Sequence, residues 1–329
     1  MDRLHTVAEA NALISDGKIL HVAGDEAALG RLRPGAWIGG TIPYFLTADG
    51  GLVDRERVLV TELPAEVKGT HIRFVDAAHL ADIPGTAFEH GFSLVVIPGM
   101  SDAHAKYANE IGEVPGLFEK PIAGWIAGVH LDDLGKVKPK VFNGRTGEAA
   151  ADRIVVLHAE LPADVMPRIG IINLFAQGGG DRIEFPETGF SADACKINGQ
   201  PGSFYDYVKA HQLDQRMPLV ADHSGEMINV SFQALDDAKH RVLFYAPVMP
   251  GVEYRHAAPV GNYRERLMSH LASEPVTPLF SCNCILNYLF AGLEGDQPIA
   301  IGGPATFGEI AYVLLNQTLV YLQLDRLAA

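Results

Sequence analysis

The chain has 329 residues, a formal net charge of −14 at pH 7 and 48% hydrophobic residues. This composition excludes a disordered chain, because so much apolar side chain can bury a substantial core. The negative charge argues against nucleic acid and against an anionic membrane as partners, since both bind basic surfaces.

The N-terminus does not have the basic and then apolar layout of a secretory signal peptide. No apolar run approaches the roughly 20 residues that a membrane-spanning helix needs. Three cysteines do not make a disulfide framework. We therefore expect a cytoplasmic protein that binds neither nucleic acid nor membrane.

The first half of the chain alternates helical and extended patterns. Apolar residues at helical spacing predict helices, and short apolar runs predict strands. The predicted helices cover residues 7–14, 26–32 and 104–111, and the predicted strands cover residues 18–22 and 92–98.

The second half contains more strands, several of them consecutive. Strands are predicted at residues 194–198, 218–221, 227–232, 241–247 and 278–282, and helices at residues 203–210, 262–272 and 283–293. A change in composition after Phe185-Pro186 predicts one domain of residues 1–190 and another of residues 191–329. The order of elements indicates an α/β (mixed α+β) fold of two packed lobes, with mixed, partly antiparallel sheets and flanking helices.

An internal repeat runs through this pattern. Trp37-Ile38-Gly39-Gly40 and the later Glu62-Leu63-Pro64-Ala65 return, in the same order, as Trp125-Ile126-Ala127-Gly128 and Glu160-Leu161-Pro162-Ala163. A looser third copy begins at Ile301-Gly302-Gly303. Repeats of this kind indicate duplicated units that bury their apolar faces against one another, here read as strand, glycine turn and strand.

No strong catalytic motif is present: the sequence has no phosphate-binding loop, no G-x-S-x-G and no H-E-x-x-H. Cys282 is predicted where a strand ends and a helix begins, a position that favours a thiolate. His223 or His256 could then serve as its base, which gives a cysteine-dependent enzyme as one hypothesis. The alternative is that the cysteines are small buried apolar residues.

The segment from Gly302 to Glu309 combines glycines, a hydroxyl, an aromatic ring and a carboxylate between two apolar runs. Glycines let a backbone approach a ligand closely, and a carboxylate can orient a donor group. The candidate ligand-binding residues in this part of the chain are Gly302, Gly303, Thr306, Phe307, Gly308, Glu309 and Asn316. The alternative is a tight hairpin in which Glu309 is solvated.

Several stretches resemble the FIST domain, a sensory module with a proposed small-ligand role. Residues 195–201, 279–282, 307–310 and 316–319 are similar, in order, to its C-terminal region, and the first half is similar to its N-terminal region. An arginine that usually follows the Ser-Cys strand of such domains is missing here. The resemblance implies a sensory domain. Such domains normally adjoin an output segment, and we expect none here because the two FIST-like halves occupy nearly the whole chain, which departs from the family's pattern.

The leading hypothesis is therefore a non-enzymatic protein that binds a small ligand, such as an amino acid or metabolite, between its two halves. The Gly302–Glu309 segment would form one wall, and Gly39, Gly40, Thr41 and Tyr44 would form the other. Cys282 and Asn283 would line the floor, and a separate signalling protein would respond. No cofactor is predicted, and haem or a metal is left open; a scaffold without a pocket is the third hypothesis.

Overall fold

Three copies of one topological unit build most of the chain, and a long insertion interrupts the third copy. The structure is a computed structural model that describes residues 3–223, 226–295 and 297–327. Its mixed sheets with a few flanking helices confirm the predicted mixed α/β class.

The first unit occupies residues 3–62. Its first helix begins at a capping box, in which the Thr6 side chain accepts from the Glu9 N–H and the Glu9 side chain bonds back to Thr6. Its elements are β1 (Arg3–His5), α1 (Val7–Ser15), β2 (Leu20–Gly24), α2 (Glu26–Leu29), β3 (Trp37–Thr41), β4 (Tyr44–Thr47), β5 (Gly50–Val53) and β6 (Val58–Glu62).

The second unit occupies residues 69–160. Ser101 caps its main helix by accepting from the His104 N–H at 3.1 Å, and the helix begins at Asp102, two residues before the predicted start at residue 104. Its elements are β7 (Gly69–Val75), α3 (Asp82–Gly85), β8 (Gly91–Pro98), α4 (Asp102–Glu110), β9 (Ile122–Ala127), β10 (Val141–Asn143), β11 (Glu148–Ala150) and β12 (Ile154–Glu160).

The third unit begins with β13 (Val165–Ile172) and is then interrupted by an insertion, residues 176–261. The insertion contains β14 (Ile183–Glu184), β15 (Gly189–Ala192), β16 (Ala194–Ile197), β17 (Gln200–Ser203), α5 (Phe204–Ala210), β18 (Leu219–His223), β19 (Glu226–Val230), β20 (Phe232–Asp236), β21 (Arg241–Val248) and β22 (Tyr254–His256). The unit resumes with α6 (Tyr263–Ser273), β23 (Phe280–Cys284), α7 (Ile285–Phe290), β24 (Gly303–Thr306), β25 (Glu309–Ala311), β26 (Val313–Leu315) and β27 (Leu319–Arg326).

Each unit has the same strand pattern. Two parallel strands are joined by a segment that contains a helix, namely β2 and β3, β8 and β9, and β23 and β24. A short hairpin follows, and the last strand of the unit returns antiparallel beside the first of the parallel pair. The strand that opens the unit pairs with that returning strand. The structure therefore confirms that the fold is built from repeated units.

The three hairpins are exchanged around a ring. Hairpin β10–β11 of the second unit extends the sheet of the first unit at β3. Hairpin β25–β26 of the third unit extends the second at β9, and hairpin β4–β5 of the first extends the third at β24. Because each sheet takes its edge from another unit, the units depend on one another for their backbone hydrogen bonds.

The repeated Glu-Leu-Pro-Ala sequence marks equivalent positions, whereas the two tryptophans do not. After β6 the Val67 N–H donates to Pro64 O at 3.1 Å, and after β12 the Val165 N–H donates to Pro162 O at 3.0 Å. The hairpin registers, however, place Trp125 opposite the first residue of β25 and Gly40 opposite the first residue of β10. Trp125 thus corresponds to Gly40, three residues from the match that the sequence suggests.

One ring from each unit meets at the centre of the fold. The Trp125 Nε1–H donates to His21 Nε2 at 2.8 Å, and the His21 ring lies 4.9 Å from the Phe280 ring. All three side chains are buried. Burial lowers the pKa of His21 to about 3, so this histidine is a neutral acceptor at ordinary pH.

We expect Trp125→Phe to destabilise the protein by about 2–4 kcal/mol, because it leaves a cavity and a buried His21 nitrogen without its donor. Trp37→Phe is the matched control. Its indole donates to Arg33 O at 2.8 Å, and Arg33 is an exposed residue whose carbonyl can bond to water instead. Urea unfolding of both variants measures the difference, and equal losses would contradict the central role of the His21–Trp125 pair.

The insertion forms a lobe of its own. Its two sheets pack around a cluster of aromatic rings in which Phe185 and Phe204 lie 5.2 Å apart. The residues that flank it, Phe175 and Tyr263, have ring centroids 6.4 Å apart, so the chain leaves and re-enters the third unit at nearly one point. The division into domains at residue 190 stays a prediction. Strands from the two sides of residue 190 are hydrogen-bonded to each other, since β24 pairs with β4 and β25 pairs with β9.

Candidate functional site

A cavity of about 330 Å³ lies where the second unit, the third unit and the insertion meet. We call it the junction cavity. The second unit contributes residues 99–102, 104, 105, 131 and 134; the insertion contributes residues 190, 233, 244 and 245; the third unit contributes residues 284–286, 289, 307 and 316. Its volume lies in the range of small-molecule sites.

The topology explains why a cavity forms here. Strands β8 and β23 are the first strands of two parallel pairs, and their carboxyl ends both lead into the cavity wall. In sheets with parallel strands, the crevice beyond the carboxyl ends is the usual place for a ligand. At the end of β8 the backbone turns through Met100, which has a φ of 59°. That turn positions the first residues of α4 along the cavity.

His104 presents one unused donor in this wall. Its Nδ1 accepts from the Met100 N–H at 3.3 Å, so the neutral ring carries its proton on Nε2. The Nε2 atom has no solvent contact and no partner among the described residues. Burial lowers the pKa of His104 to about 4, which keeps the ring neutral. A ligand carbonyl or ether oxygen would satisfy this donor.

Asn316 presents an unused acceptor in the same cavity. The side chain is 1% exposed, and its Nδ2 donates to Leu315 O at 3.1 Å. Its Oδ1 has no partner in the described part of the chain. An unpaired amide oxygen inside a protein costs about 1–3 kcal/mol. A ligand that donates an N–H or O–H would recover that cost.

Behind the inner wall lies a buried polar cluster around Glu309. Its Oε2 accepts from the Thr318 N–H at 3.1 Å and from the Thr318 hydroxyl at 2.9 Å. Burial raises the pKa of Glu309 to about 8, although the bonds from Thr318 lower it in part. The Cys284 thiol lies beside this carboxyl and lines the junction cavity. The alternative prediction of a solvated Glu309 is wrong, since this side chain is fully buried.

The rim of the junction cavity is apolar and open to solvent. Met100 is 57% exposed, and Leu134 and Leu289 are each 40% exposed. All three line the cavity. Among the described residues that line the cavity, Asp102 carries a charge and none is a lysine or an arginine. The cavity therefore favours a neutral, mainly apolar molecule over an anion.

Some of the predicted site residues come together here. Phe307 and Asn316 line the junction cavity. Thr306 and Asn283 belong to the cluster behind it, where the Thr306 hydroxyl lies 3.2 Å from Asn283 O and 3.4 Å from Glu309 Oε1. Gly308 lies between β24 and β25, and its carbonyl accepts from the Ile126 N–H at 2.8 Å.

The prediction that glycine turns form the walls of the ligand site is wrong. Gly39 and Gly40 lie inside β3, where a Cβ on Gly39 would come 2.5 Å from Val22 O. Gly303 opens β24 with a φ of 138°, and a Cβ there would come 2.2 Å from Ser281 O; Gly302 precedes it. These glycines permit close packing of strands.

Thr41 and Tyr44 support neighbouring surfaces. The Thr41 hydroxyl accepts from the Lys140 N–H at 2.9 Å, and the residue borders a shallow surface groove. The Tyr44 hydroxyl accepts from the Leu131 N–H at 3.0 Å, and Leu131 does line the junction cavity. Tyr44 therefore lies directly behind the wall, and its role in binding stays a prediction.

The predicted position of Cys282 is wrong by two residues. Cys284 is the last residue of β23 and precedes α7, whereas Cys282 lies within the strand with its Sγ 3.4 Å from Gly124 O in the core. His256 borders a second cavity, of about 690 Å³, and its Nε2 lies 3.0 Å from Asp214 O. Neither described cavity contains both Cys282 and His256. The side chain of His223 lies outside the described residues.

Sequence reasoning did not identify two residues of the site, His104 and Cys284. The sequence predicts His104 within one helix and Cys284 in the first turn of another. A usable signal was present, because both residues stand where a buried strand leads into a helix: His104 lies in the first turn of α4 after β8, and Cys284 ends β23 and precedes α7. What the sequence could not supply is the ring of exchanged hairpins that brings these two strand ends to one cavity.

Neither a metal-binding cluster nor a membrane-spanning helix is found within the described ranges. No group of three or more His, Cys, Asp and Glu side chains in those ranges has an arrangement that could hold a metal ion. None of the helices in that part of the chain has both the length and the apolar character needed to span a bilayer.

Comparison with known proteins identifies a family whose function is unknown. The model of a family described as a family of unknown function, DUF6976, matches residues 5–325. No curated protein matches the chain. The assignment to the FIST family that the sequence suggested is wrong, because no FIST model matches and the model of one other family covers nearly the whole chain. The short stretches that suggested FIST are strand ends and turns, which recur in unrelated folds.

Proposed function

The chain belongs to the family of unknown function DUF6976, and we propose that the protein binds one small, neutral, mainly apolar molecule in the junction cavity. The observation that carries the proposal is a pair of buried, unpartnered polar atoms on two residues that line this cavity, His104 Nε2 and Asn316 Oδ1. Buried polar atoms in native proteins nearly always have partners, so two orphans in one cavity favour a missing ligand.

The two atoms define the ligand's polar group. The His104 nitrogen requires an acceptor, and the Asn316 oxygen requires a donor. A carboxamide offers both on one planar group. The remaining lining is largely aliphatic and aromatic, and the solvent-facing rim is apolar as well, which suits a hydrocarbon or aromatic body.

The proposal includes two broader statements. We place the protein in the cytoplasm, which is supported by three buried cysteines that form no disulfide. We also propose that a separate protein responds to the bound state, since ligand contacts at Leu286 and Leu289 would act directly on α7.

Thermal unfolding with phenylacetamide and with phenylacetate tests the binding proposal. We expect the neutral amide to raise the melting temperature, since a ligand at about 100 times its Kd stabilises the folded state by about 2.7 kcal/mol. The anion of the same shape should have little effect, because none of the described lining residues is a lysine or an arginine that could pair with it.

Two variants complete the test. Ala105→Trp fills the cavity from α4 and should abolish the shift, whereas Gln200→Ala, in an exposed hairpin of the insertion, should preserve it. Equal shifts from amide and carboxylate, or a shift that survives Ala105→Trp, would place the binding elsewhere.

A further inference from the structure

The inner end of the junction cavity carries a thiol with a carboxyl beside it. We propose that Cys284 and Glu309 act as nucleophile and base, and that they cleave a small neutral carboxylic amide or ester held in this cavity. The inference rests on the proposed function, because the cavity must first bind the neutral substrate.

Cys284 is placed so that its thiol can meet a bound molecule. It ends β23 and lines the cavity, while only 1% of its surface reaches solvent. The backbone N–H groups of Gln317 and Leu286 face the sulfur and favour its thiolate form. Burial, followed by the neighbouring Glu309, raises the pKa of the thiol, so the resting group is protonated. Attack therefore requires a nearby proton acceptor.

Glu309 is placed to be that acceptor. Thr318 fixes one carboxyl oxygen by two hydrogen bonds, through its N–H and its hydroxyl. The fixed carboxyl lies beside the Cys284 thiol. A buried carboxyl with a raised pKa exchanges protons close to neutral pH, which suits a general base and acid.

Asn316 provides an independent sign that a ligand belongs here. It is 1% exposed, it lines the same cavity, and its Oδ1 has no partner in the described part of the chain. The His104 Nε2–H, also unpartnered, is a second feature of the same wall. A substrate carbonyl can accept from His104 while a substrate N–H donates to Asn316. Cys284 lies among the lining of this cavity, within the set of atoms that such a substrate would contact.

The reaction balances with water as the only co-substrate. The reaction starts from the ionised form of Glu309, whose fraction grows as the pH rises toward 8. The Cys284 thiol gives its proton to this carboxylate, and sulfur forms a bond to the carbonyl carbon. The carbon–nitrogen or carbon–oxygen bond breaks, and the leaving amine or alcohol takes the proton from Glu309. Water then loses a proton to Glu309 and attacks the thioester. The carbon–sulfur bond breaks, the acid leaves, and the thiol regains its proton.

Iodoacetamide tests the nucleophile in the unmodified protein, because it is itself a small neutral carboxamide. We expect Cys284 to be alkylated at least about 10-fold faster than Cys195 and Cys282, the other two buried cysteines. Peptide mapping by mass spectrometry reads all three sites in one sample. Iodoacetate, the anionic analogue, should lose this selectivity. Alkylation of Cys195 or Cys282 before Cys284 in folded protein would overturn the proposal.

Turnover of 4-nitrophenyl acetate and of acetyl-4-nitroanilide tests the acyl step. We expect Cys284→Ala to lower kcat by at least about 100-fold and Glu309→Gln to lower it by a similar factor, with Cys195→Ala unchanged. An acetyl group on Cys284 in acid-quenched protein would identify the intermediate. Turnover that Cys284→Ala leaves intact would overturn the proposal, and circular dichroism shows whether each variant is folded.

These experiments distinguish a failure of binding from a failure of catalysis. If phenylacetamide stabilises the protein but Cys284 is inert to iodoacetamide, the binding site stands and the chemistry is wrong. If Ala105→Trp changes neither the stabilisation by phenylacetamide nor the alkylation of Cys284 by iodoacetamide, the junction cavity is not the site and both proposals are wrong.

Discussion

The wild-type protein is expected to lose stability as the pH rises from about 5 to about 8, because of the Glu309 carboxyl, and Glu309→Gln is expected to lack this loss. The pKa of this carboxyl is about 8 in the folded protein and 4.5 in an unperturbed chain. Between these values the folded state keeps a proton that the unfolded state releases. Raising the pH therefore favours unfolding.

The expected size follows from the proton balance. One proton contributes about 1.4 kcal/mol for each pH unit in this window, so the wild-type protein should lose on the order of 3 kcal/mol relative to the variant between pH 5 and pH 7.5. The neutral amide that Glu309→Gln introduces has no proton to release, so the variant lacks this loss. The Thr318 N–H and hydroxyl can still donate to the amide oxygen, which keeps the fold comparable.

Urea unfolding at a series of pH values measures both profiles. Glu187→Gln, at an exposed position, is the matched control and should follow the wild-type profile. As the pH falls below 6.5, His21 and His158 should destabilise all three proteins equally, because burial lowers their folded-state pKa values to about 3 and about 4. This common effect cancels in the comparison. A stability difference between wild type and Glu309→Gln that stays constant from pH 5 to 8 would show that Glu309 is ionised in the fold.

The repeat was the part of the fold that the sequence carried most clearly. Glu-Leu-Pro-Ala marks the end of the returning strand in two units because the same turn follows each strand. The match between the two tryptophans was incorrect, since Trp37 is buried against Gly144 in the first unit, whereas Trp125 contacts His21 at the centre of the fold. The third copy was harder to recognise because an insertion separates its opening strand β13 from the rest.

The site was predictable only in its C-terminal half. Glu309, Phe307 and Asn316 stood out because polar residues and an aromatic ring interrupted apolar runs, and all three lie in or behind the junction cavity. Their partners on the other side depend on pairings between residues about 180 positions apart, such as Glu309 with Trp125. Glycine was also misread as a sign of turns, because in β3 it allows strands to approach closely.

The ring of exchanged hairpins predicts how the chain can be divided. Residues 1–190 expressed alone should not fold cooperatively, because β9 loses the hairpin β25–β26 and β4 loses its partner β24. The rings of His21 and Trp125 would also lose Phe280 from the core they share. The expected loss is the whole stability of the fold, typically about 5–15 kcal/mol.

Removing the insertion is the matched control, because it leaves every strand of the ring in place. Its flanking residues Phe175 and Tyr263 lie side by side, so a short Gly-Ser linker can replace residues 176–261. We expect this shortened chain to unfold in one cooperative transition by circular dichroism and urea, with reduced stability, while the 1–190 fragment shows none. Co-expression of residues 191–329 should restore the fragment. A cooperative transition in residues 1–190 alone would show that the boundary at residue 190 separates true folding units and that the exchanged hairpins are dispensable.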